Sequence, residues 1–233
     1  MTIKQSFSQM DQNTVDSKNQ LKDSALVRFE HLEGEGKRIL LCGNSITLHG
    51  PKADIGWHGE WGMAASAKEK DYAHLLMEAI LEKDAKSAFC ICQVADWERQ
   101  YKTGEETYPL YQSARDFDAD LIIMRFIENC PKKEFDSSLF IKELDAFLSY
   151  LNPSKKAKII LTTGFWAHPG DEGIMEYAKA QNLPCIYLGD LGEQDQMKAI
   201  GLFEHSGVAA HPGDLGMSAI AERIYNEAAK ILF

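Results

Sequence analysis

The sequence has few basic residues and no long apolar run. Its 233 residues include 25 lysines and arginines against 35 aspartates and glutamates, which gives a formal net charge of -10. Nucleic acids and anionic membrane surfaces both bind proteins through basic patches, so this balance disfavours both as partners. A membrane-spanning helix needs about 20 consecutive apolar residues, and no stretch of the sequence reaches that length. The charge balance places no constraint on an uncharged small-molecule substrate.

Paired cysteines and an apolar leader are also lacking. The five cysteines are odd in number, and three of them lie in apolar, strand-like runs, which is typical of buried, reduced thiols. Cys90 and Cys92 are too close together for a zinc-binding pair, and no second pair follows them. The polar N-terminus has no apolar signal core. We therefore expect a cytoplasmic protein that uses no metal or other cofactor.

Glycine motifs that bind phosphate are missing too. The sequence has neither Gly-x-Gly-x-x-Gly after a strand nor Gly-Lys-Ser/Thr, so nucleotide-binding functions lose their usual support. Apolar runs do alternate with amphipathic segments about five times along the chain. This alternation predicts an α/β fold, a three-layer α/β/α domain with a central five-stranded parallel sheet. The predicted strands are residues 38–42, 88–94, 121–126, 157–162 and 184–188.

The first 24 residues differ from the rest of the chain. They are polar and lack periodicity, which predicts a flexible or loosely attached arm before one domain at residues 25–233. Residues 25–32 fit either a short edge strand or a helix. The helices are clearest where apolar side chains recur at helical spacing, at residues 71–82, 137–151 and 217–232.

Ser45 follows the carboxyl end of a predicted central strand. The apolar run at 38–42 ends abruptly at Gly43, and Ser45 follows two residues later. In open α/β sheets, ligands bind outside the carboxyl ends of such strands, so Ser45 is placed as a nucleophile would be. A serine after a strand and a glycine also occurs in many structural turns, where it only caps the next element. From the local pattern alone, both interpretations stay open.

Two segments near the ends of the domain resemble one known family. Residues 43–47, Gly-Asn-Ser-Ile-Thr, resemble the first block of the SGNH (GDSL-type) hydrolases, with Asn44 in place of the usual aspartate. Residues 210–217, Ala-His-Pro-Gly-Asp-Leu-Gly-Met, resemble the family's last block, which holds a catalytic histidine followed by proline. The resemblance spans about residues 38–233. It implies a flavodoxin-like α/β/α fold and an enzyme that hydrolyses esters.

The resemblance also implies roles for individual residues. Ser45 would be the nucleophile and His211 the general base. Ile127-Glu128-Asn129 resembles the family's Gly-x-Asn block, so Asn129 would present its amide to the oxyanion, although an asparagine before proline is also a common helix entry. A further family glycine donates its backbone N–H to the oxyanion, and Asp96 is nearest to that position. The N–H of Ser45 would complete the oxyanion contacts.

The motif His-Pro-Gly-Asp occurs twice, at His168 and at His211. A glycine and an aspartate after proline also form a good helix start, so either copy fits a purely structural role. His211 precedes the last helix, where the family's base lies. His168 follows the fourth predicted strand and is expected at most at the rim of the site. Chain position therefore favours His211 as the base.

The family's charge partner for the base is not in its usual place. The family has an aspartate three residues before the histidine, and this sequence has Val208 there. Because the base still needs an acceptor for its second ring nitrogen, we predict a Ser45–His211 dyad. A main-chain carbonyl at Val208 or Ala209 would hold it, with Glu204 as the less favoured alternative.

The long connection at residues 48–70 is rich in glycine, histidine and tryptophan. Long loops without periodicity are often functional, and Trp57 and Trp61 could stack on a sugar ring. The alternative, that the two indoles cover the edge of the core, is at least as good because tryptophan is mostly buried. His49 and His58 are interpreted as loop histidines with no catalytic role.

These observations predict a serine esterase that cleaves a small ester, with an acetyl ester on a carbohydrate as the favoured substrate. A catalytically impaired carbohydrate-binding protein on the same fold is the main alternative, because Val208, Ile127 and Asp96 depart from the family pattern. A flavodoxin-like small-molecule domain is disfavoured by the paired Ser45 and His211 blocks. The sequence predicts no oligomeric state.

Overall fold

The computed structural model describes residues 21–233, so nearly all of the predicted arm at 1–24 lies outside the described residues. Each of the five predicted strands is present, with small differences at the ends. A sixth strand precedes them. The strands are β1 (Val27–Glu30), β2 (Arg38–Gly43), β3 (Ala88–Gln93), β4 (Leu121–Arg125), β5 (Lys158–Thr162) and β6 (Cys185–Ile186).

The sheet has the order β1-β3-β2-β4-β5-β6, and all neighbours are parallel except β1, which is antiparallel to β3. The five predicted parallel strands are therefore confirmed, and the sheet has one further, antiparallel strand, β1, which confirms the edge-strand alternative for residues 25–32. The short strand forms because Val27 is fully buried and pairs with Cys92, so it extends the core past β3. The parallel strands are confirmed as the centre of the fold.

Helices cover both faces of the sheet. The predicted helix after Asp71 is confirmed, and the Asp71 carboxylate caps it by accepting the backbone N–H of His74 at 2.8 Å. No helix within residues 21–233 has the length and apolarity to cross a membrane. The helices are α1 (Tyr72–Leu81), α2 (Ala95–Arg99), α3 (Gln112–Asp116), α4 (Ser137–Leu151), α5 (Asp171–Ala180), α6 (Gly189–Gly192), α7 (Ser206–Ala209) and α8 (Asp214–Leu232).

Two hydrophobic cores lie on opposite faces of the sheet, because side chains alternate along each strand. On β2, Leu40 and Cys42 face the core that α4 and α5 cover, whereas Ile39 and Leu41 face the core that α1 and α8 cover. All four of these β2 side chains are fully buried. This burial on both faces explains the nearly continuous apolar sequence of the strand and confirms the three-layer α/β/α architecture.

The sheet topology fixes where a site can form. Strand β2 lies between β3 and β4, so the chain crosses the sheet in one direction after β2 and in the other after β3. In open α/β sheets, such a reversal leaves a crevice at the carboxyl ends of the strands. Ser45, helix α2 and the segment at 126–130 follow β2, β3 and β4, respectively, and they meet in this crevice.

Candidate active site

Ser45 and His211 form a hydrogen-bonded pair. The Ser45 Oγ lies 2.8 Å from the His211 Nε2. Ser45 follows β2 through a turn with no room for a side chain at Gly43, where a Cβ would lie 1.9 Å from the Thr47 Oγ1 and 2.6 Å from the Arg125 carbonyl oxygen. His211 stands between α7 and α8. Two segments that are 166 residues apart thus meet with the geometry of a nucleophile and its base.

A backbone carbonyl holds the other side of the imidazole. The His211 Nδ1 lies 2.7 Å from the carbonyl oxygen of Gly207. Because a carbonyl only accepts, Nδ1 carries the ring proton and donates it to Gly207. Nε2 is then free to accept the Ser45 hydroxyl proton. The tautomer is therefore the one that a general base needs.

The acceptor differs in identity from the prediction, which placed it at Val208 or Ala209. The Val208 carbonyl accepts the backbone N–H of His211 at 2.9 Å, and the imidazole bonds the carbonyl one residue earlier. Glu204, the less favoured acid, is exposed and lies in a separate groove beside residues 53–56. Among the described residues, no carboxylate contacts the His211 ring, so the third member of the site is a backbone carbonyl.

The surroundings of His211 keep it neutral. Burial lowers its pKa to about 4, and the nearby Arg125 guanidinium acts in the same direction, against the Gly207 carbonyl and the Glu128 carboxylate. The Trp166 indole packs edge-on against the imidazole, with ring centroids 5.0 Å apart. A group with such a pKa is unprotonated at neutral pH, so Nε2 keeps its lone pair for the Ser45 hydroxyl.

Asn129 lines the same cavity as Ser45 and His211. Its side-chain amide is oriented from two sides. The Nδ2 donates to the Glu98 carboxylate at 2.6 Å, and the Oδ1 accepts from the Arg99 guanidinium at 3.4 Å. An amide nitrogen has two hydrogens, and Glu98 takes one of them. The second is available to a ligand oxygen in the cavity.

Ile127 has a backbone conformation that is typical of glycine. Its φ is +98°, in a region that glycine adopts easily and that is strained for a β-branched residue. The Ile127 N–H donates to the Glu98 carboxylate at 2.6 Å, and the side chain is fully buried. The turn before Asn129 therefore has a backbone conformation that suits the glycine of the family's Gly-x-Asn pattern, although an isoleucine side chain is buried there.

A buried polar network lies behind the Ser45 turn, and the sequence pattern did not reveal it. Arg125 and Glu128 form an ion pair, with nitrogen–oxygen distances of 2.7 and 2.8 Å. Asn44 joins this pair to Glu98. Its Nδ2 donates to both carboxylates, and its Oδ1 accepts from the Arg125 guanidinium. The amide of Asn44 thus both donates to the two carboxylates and accepts from the guanidinium.

The network explains why the family's aspartate is asparagine in this chain. We expect Asn44→Asp to lower the free energy of unfolding by about 3–5 kcal/mol, because it removes a buried donor and adds a third carboxylate around one arginine. Urea unfolding monitored by circular dichroism measures the loss. Asn226→Asp, an exposed change on α8, is the matched control and should shift stability by about 0.5 kcal/mol or less. Equal stability of the two variants would contradict this account of Asn44.

The cavity above Ser45 has a volume of about 210 Å³. Besides Ser45, His211 and Asn129, its walls include Ala95 and Arg99 from α2. Two histidines also line it, His49 from the 48–70 connection and His205 just before α7. The apolar part of the wall includes Ile55, Met63 and Val208. Such a volume is smaller than the roughly 300–1,000 Å³ of pockets for drug-sized ligands. It suits a small group next to the serine.

Asp96 does not line this cavity. It lies in the first turn of α2, and its carboxylate pairs with Arg99 at 3.0 Å. Ala95, one residue earlier, reaches the cavity wall instead. The oxyanion contact predicted for the Asp96 backbone N–H stays a prediction, because the Ala95 N–H is already donated to the Gln93 side chain at 3.2 Å.

The two tryptophans of the 48–70 loop do not line the cavity either. Trp57 is 3% exposed, and its Nε1 donates to the His49 carbonyl, so it has no free face for a sugar. Trp61 packs edge-on against Trp57, with ring centroids 5.6 Å apart, and donates to the Ala65 carbonyl. The stacking hypothesis is wrong for Trp57, and Trp61 is not among the residues that line the cavity. Both indoles cover the edge of the core.

His168 is a structural residue rather than a rim residue. It is 6% exposed, and its Nε2 lies 3.1 Å from the Cys130 carbonyl oxygen. Its Nδ1 accepts the N–H of Gly170 at 3.0 Å, and Phe135 packs edge-on against the ring. The first His-Pro-Gly-Asp copy therefore forms a buried helix start at α5, whereas the second presents its histidine to Ser45.

No family model matches the sequence, and no curated protein matches it. Solved structures do share its fold. A protein assigned as a GDSL-like lipase from Parabacteroides merdae superposes with a TM-score of 0.55 at 15% identity, over 85% of this chain and 97% of its own. A two-domain esterase active on acetylated mannans gives 0.54 at 17% identity, over 85% of this chain. A family two carbohydrate esterase from Clostridium thermocellum gives 0.53 at 14% identity, over 84% of this chain and 64% of its own.

These superpositions define the fold class of the chain as α/β/α. More narrowly, its fold is that of the SGNH, or GDSL-type, hydrolases, which confirms the fold that the sequence resemblance implied. The chain spans 51% of the length of the two-domain esterase. It thus corresponds to about half of that protein.

Proposed function

We propose that the protein is a serine esterase that hydrolyses a small carboxylic ester through Ser45 and His211. The observation that carries this proposal is the contact of 2.8 Å between the Ser45 Oγ and the His211 Nε2, on an imidazole whose tautomer Gly207 fixes. This pair sits at the carboxyl end of β2, where the topology of the sheet opens a crevice. A serine in this position is activated by an adjacent base.

The chemistry follows from these contacts. The Ser45 Oγ attacks the ester carbonyl carbon while its proton passes to the His211 Nε2. The negative charge on the former carbonyl oxygen is stabilised by the Asn129 amide and by the Ser45 N–H. The carbon–oxygen bond to the alcohol then breaks, and His211 returns the proton to the leaving alkoxide. Water attacks the acyl-enzyme by the same route, which releases the acid and restores Ser45.

The size of the cavity and the related structures together favour a short acyl group. A volume of about 210 Å³ accommodates an acetyl or similar group beside Ser45. Two of the superposed proteins are esterases of carbohydrates, one of them active on acetylated mannans. These observations support an acetyl ester on a carbohydrate as the substrate. The tryptophans give this choice no support, because neither reaches the cavity.

Covalent labelling tests the proposed function. A fluorophosphonate probe should modify the folded protein at Ser45, because the neutral His211 activates that hydroxyl alone. Peptide mapping by mass spectrometry locates the adduct, and the same protein in denaturant is the control that should not react. Hydrolysis of acetylated sugars and of p-nitrophenyl esters of increasing acyl length then identifies the substrate. A folded protein that forms no adduct and cleaves no ester would favour the alternative, a protein that only binds carbohydrate.

A further inference from the structure

Glu98 is a buried acid that none of the proposed chemical steps uses. It lies on the five-residue helix α2, fully buried, and its carboxylate faces the segment that carries Asn129. We infer that Glu98 is a positioning residue that holds the Asn129 amide in the orientation needed to bind the oxyanion. This inference rests on the proposed esterase function for its effect on rate, and on geometry alone for the orientation of Asn129.

The contacts divide between the two carboxylate oxygens. The Oε1 of Glu98 accepts the Ile127 N–H at 2.6 Å and the Asn44 Nδ2 at 3.0 Å. The Oε2 accepts both groups of Asn129, the backbone N–H at 3.1 Å and the side-chain Nδ2 at 2.6 Å. Glu98 therefore fixes the backbone and the side chain of Asn129 at once.

Only an ionised carboxylate satisfies all of these donors. Each oxygen of Glu98 faces N–H groups and nothing that accepts. A glutamine in either orientation would put its NH2 group against an N–H donor, either at Ile127 or at Asn129. A protonated glutamate has the same conflict at one oxygen. The orientation of Asn129 therefore depends on the negative charge of Glu98.

The opposite side of Asn129 reinforces this dependence. Its Oδ1 accepts from Arg99, which stands one residue after Glu98 on the same helix. Consecutive residues of α2 thus contact opposite ends of one amide, an acceptor at the nitrogen and a donor at the oxygen. The remaining hydrogen of Nδ2 is left for the cavity that Asn129 lines. This is the preorganised, neutral donor that stabilises an oxyanion.

Glu98 is also poised to lose its charge at an accessible pH. Burial raises its pKa to about 7, and the Glu128 carboxylate adds to the shift, against the donors from Asn129, Asn44 and Ile127. Arg125 is the one cation of the buried network. The negative charge of Glu98 also raises the pKa of the nearby Cys130 thiol. Protonation of Glu98 should release Asn129, so activity should fall as the pH drops below about 7. His211 would be protonated only at about pH 4.

Kinetics of Glu98→Gln, Asn129→Ala and the double variant test the effect on rate. We expect Glu98→Gln to lower kcat about 10- to 100-fold, with little change in KM, as displacement of a catalytic donor does. In the Asn129→Ala background, the same change should have almost no further effect on kcat. Glu176→Gln, an exposed change of the same kind on α5, is the control, because Glu176 lies outside the buried network. It should leave kcat unchanged in both backgrounds.

Nuclear magnetic resonance tests the orientation without reference to activity. The Asn129 side-chain amide signals, assigned by their loss in Asn129→Ala, should titrate near pH 7 in the wild type and not in Glu98→Gln. Glu98→Asp, which keeps the charge on a shorter side chain, replaces Glu98→Gln if the latter does not fold; it should shift these signals and lower kcat.

The two sets of results separate the inference from the proposed function. An active wild type in which Glu98→Gln keeps its kcat, or lowers it equally with and without Asn129, overturns the inference, as does an unchanged Asn129 amide signal. A titrating Asn129 signal in a protein that cleaves no ester contradicts the esterase and leaves the positioning of Asn129 by Glu98 established. The expected combination is a titrating signal together with the selective loss of kcat.

Discussion

Replacement of Ser45 with alanine is expected to lower kcat on an activated ester by about 10⁴-fold or more, because the variant lacks the attacking oxygen and keeps only the oxyanion contacts. The fold should be unaffected. The Ser45 hydroxyl contacts the His211 ring and is not part of the buried network that holds the turn. Initial rates of p-nitrophenyl acetate hydrolysis and the Tm of the two proteins measure both effects.

A second serine provides the control for this experiment. Ser66 is exposed, and its hydroxyl donates to the Asp214 carboxylate at 2.7 Å, away from the cavity. Ser66→Ala removes the same atom from the surface and should leave kcat close to that of the wild type. Near-normal turnover in Ser45→Ala would contradict a serine mechanism, and the esterase would then need a different nucleophile.

The arrangement of the sheet could be predicted from the sequence because burial leaves a strong pattern. Strands β2, β3, β4 and β5 are buried on both faces or nearly so, and each reads as a continuous apolar run. The position of Ser45 follows directly, since it comes after Gly43 at the end of the most central run. The edge strand β1 has one fully buried residue, Val27, so its pattern was too weak to distinguish a strand from a helix.

The acceptor for His211 could not be predicted to the residue. The sequence shows that no aspartate stands at the family's position, which favours a backbone carbonyl and leaves Glu204 as the alternative. Which carbonyl serves depends on the turn between α7 and α8. There the Val208 carbonyl is taken by the backbone N–H of His211, so Gly207 is left to the imidazole. Hydrogen bonds of this kind follow from local backbone geometry, on which the side-chain sequence carries little information.

The buried network was missed for a different reason. Asn44 and Glu98 are 54 residues apart, and Asn129 is a further 31 residues along the chain. A single glutamate in a short helix gives no periodic signal that would mark it as buried. One clue was present in the sequence, namely that the first block has asparagine where the family has aspartate. The structure shows that this change accompanies a nearby carboxylate, which the sequence alone could not place.

For the two tryptophans, the sequence suggested a function that the structure does not support. Their sequence context, a long loop rich in glycine and histidine, fits both a sugar-binding surface and a cover for the core. The backbone of this loop folds back on itself through bridges between His49 and Trp61 and between Lys52 and Trp57. These bridges bury the Trp57 ring against Phe203. Burial of a large apolar surface decided between the two interpretations.

The second large expected effect is on activity, when the histidines of the two His-Pro-Gly-Asp copies are replaced in turn. His211→Ala should lower kcat/KM by about 10³- to 10⁴-fold, because Ser45 then has no base to accept its proton. His168→Ala should retain at least partial activity, since His168 is buried and bonded to Cys130 and Gly170 rather than to Ser45. Its effect should instead be a loss of stability, about 1–3 kcal/mol for a buried N–H and a buried carbonyl left without partners.

Measurements of kcat/KM and of urea unfolding on both variants separate these outcomes. His211→Ala should be inactive and nearly as stable as the wild type, because the ring bonds only a hydroxyl and the carbonyl of Gly207. His168→Ala should be active and less stable. The opposite distribution, with activity lost at His168 and kept at His211, would show that the first copy provides the base. In that case the contact between Ser45 and His211 would have no part in catalysis.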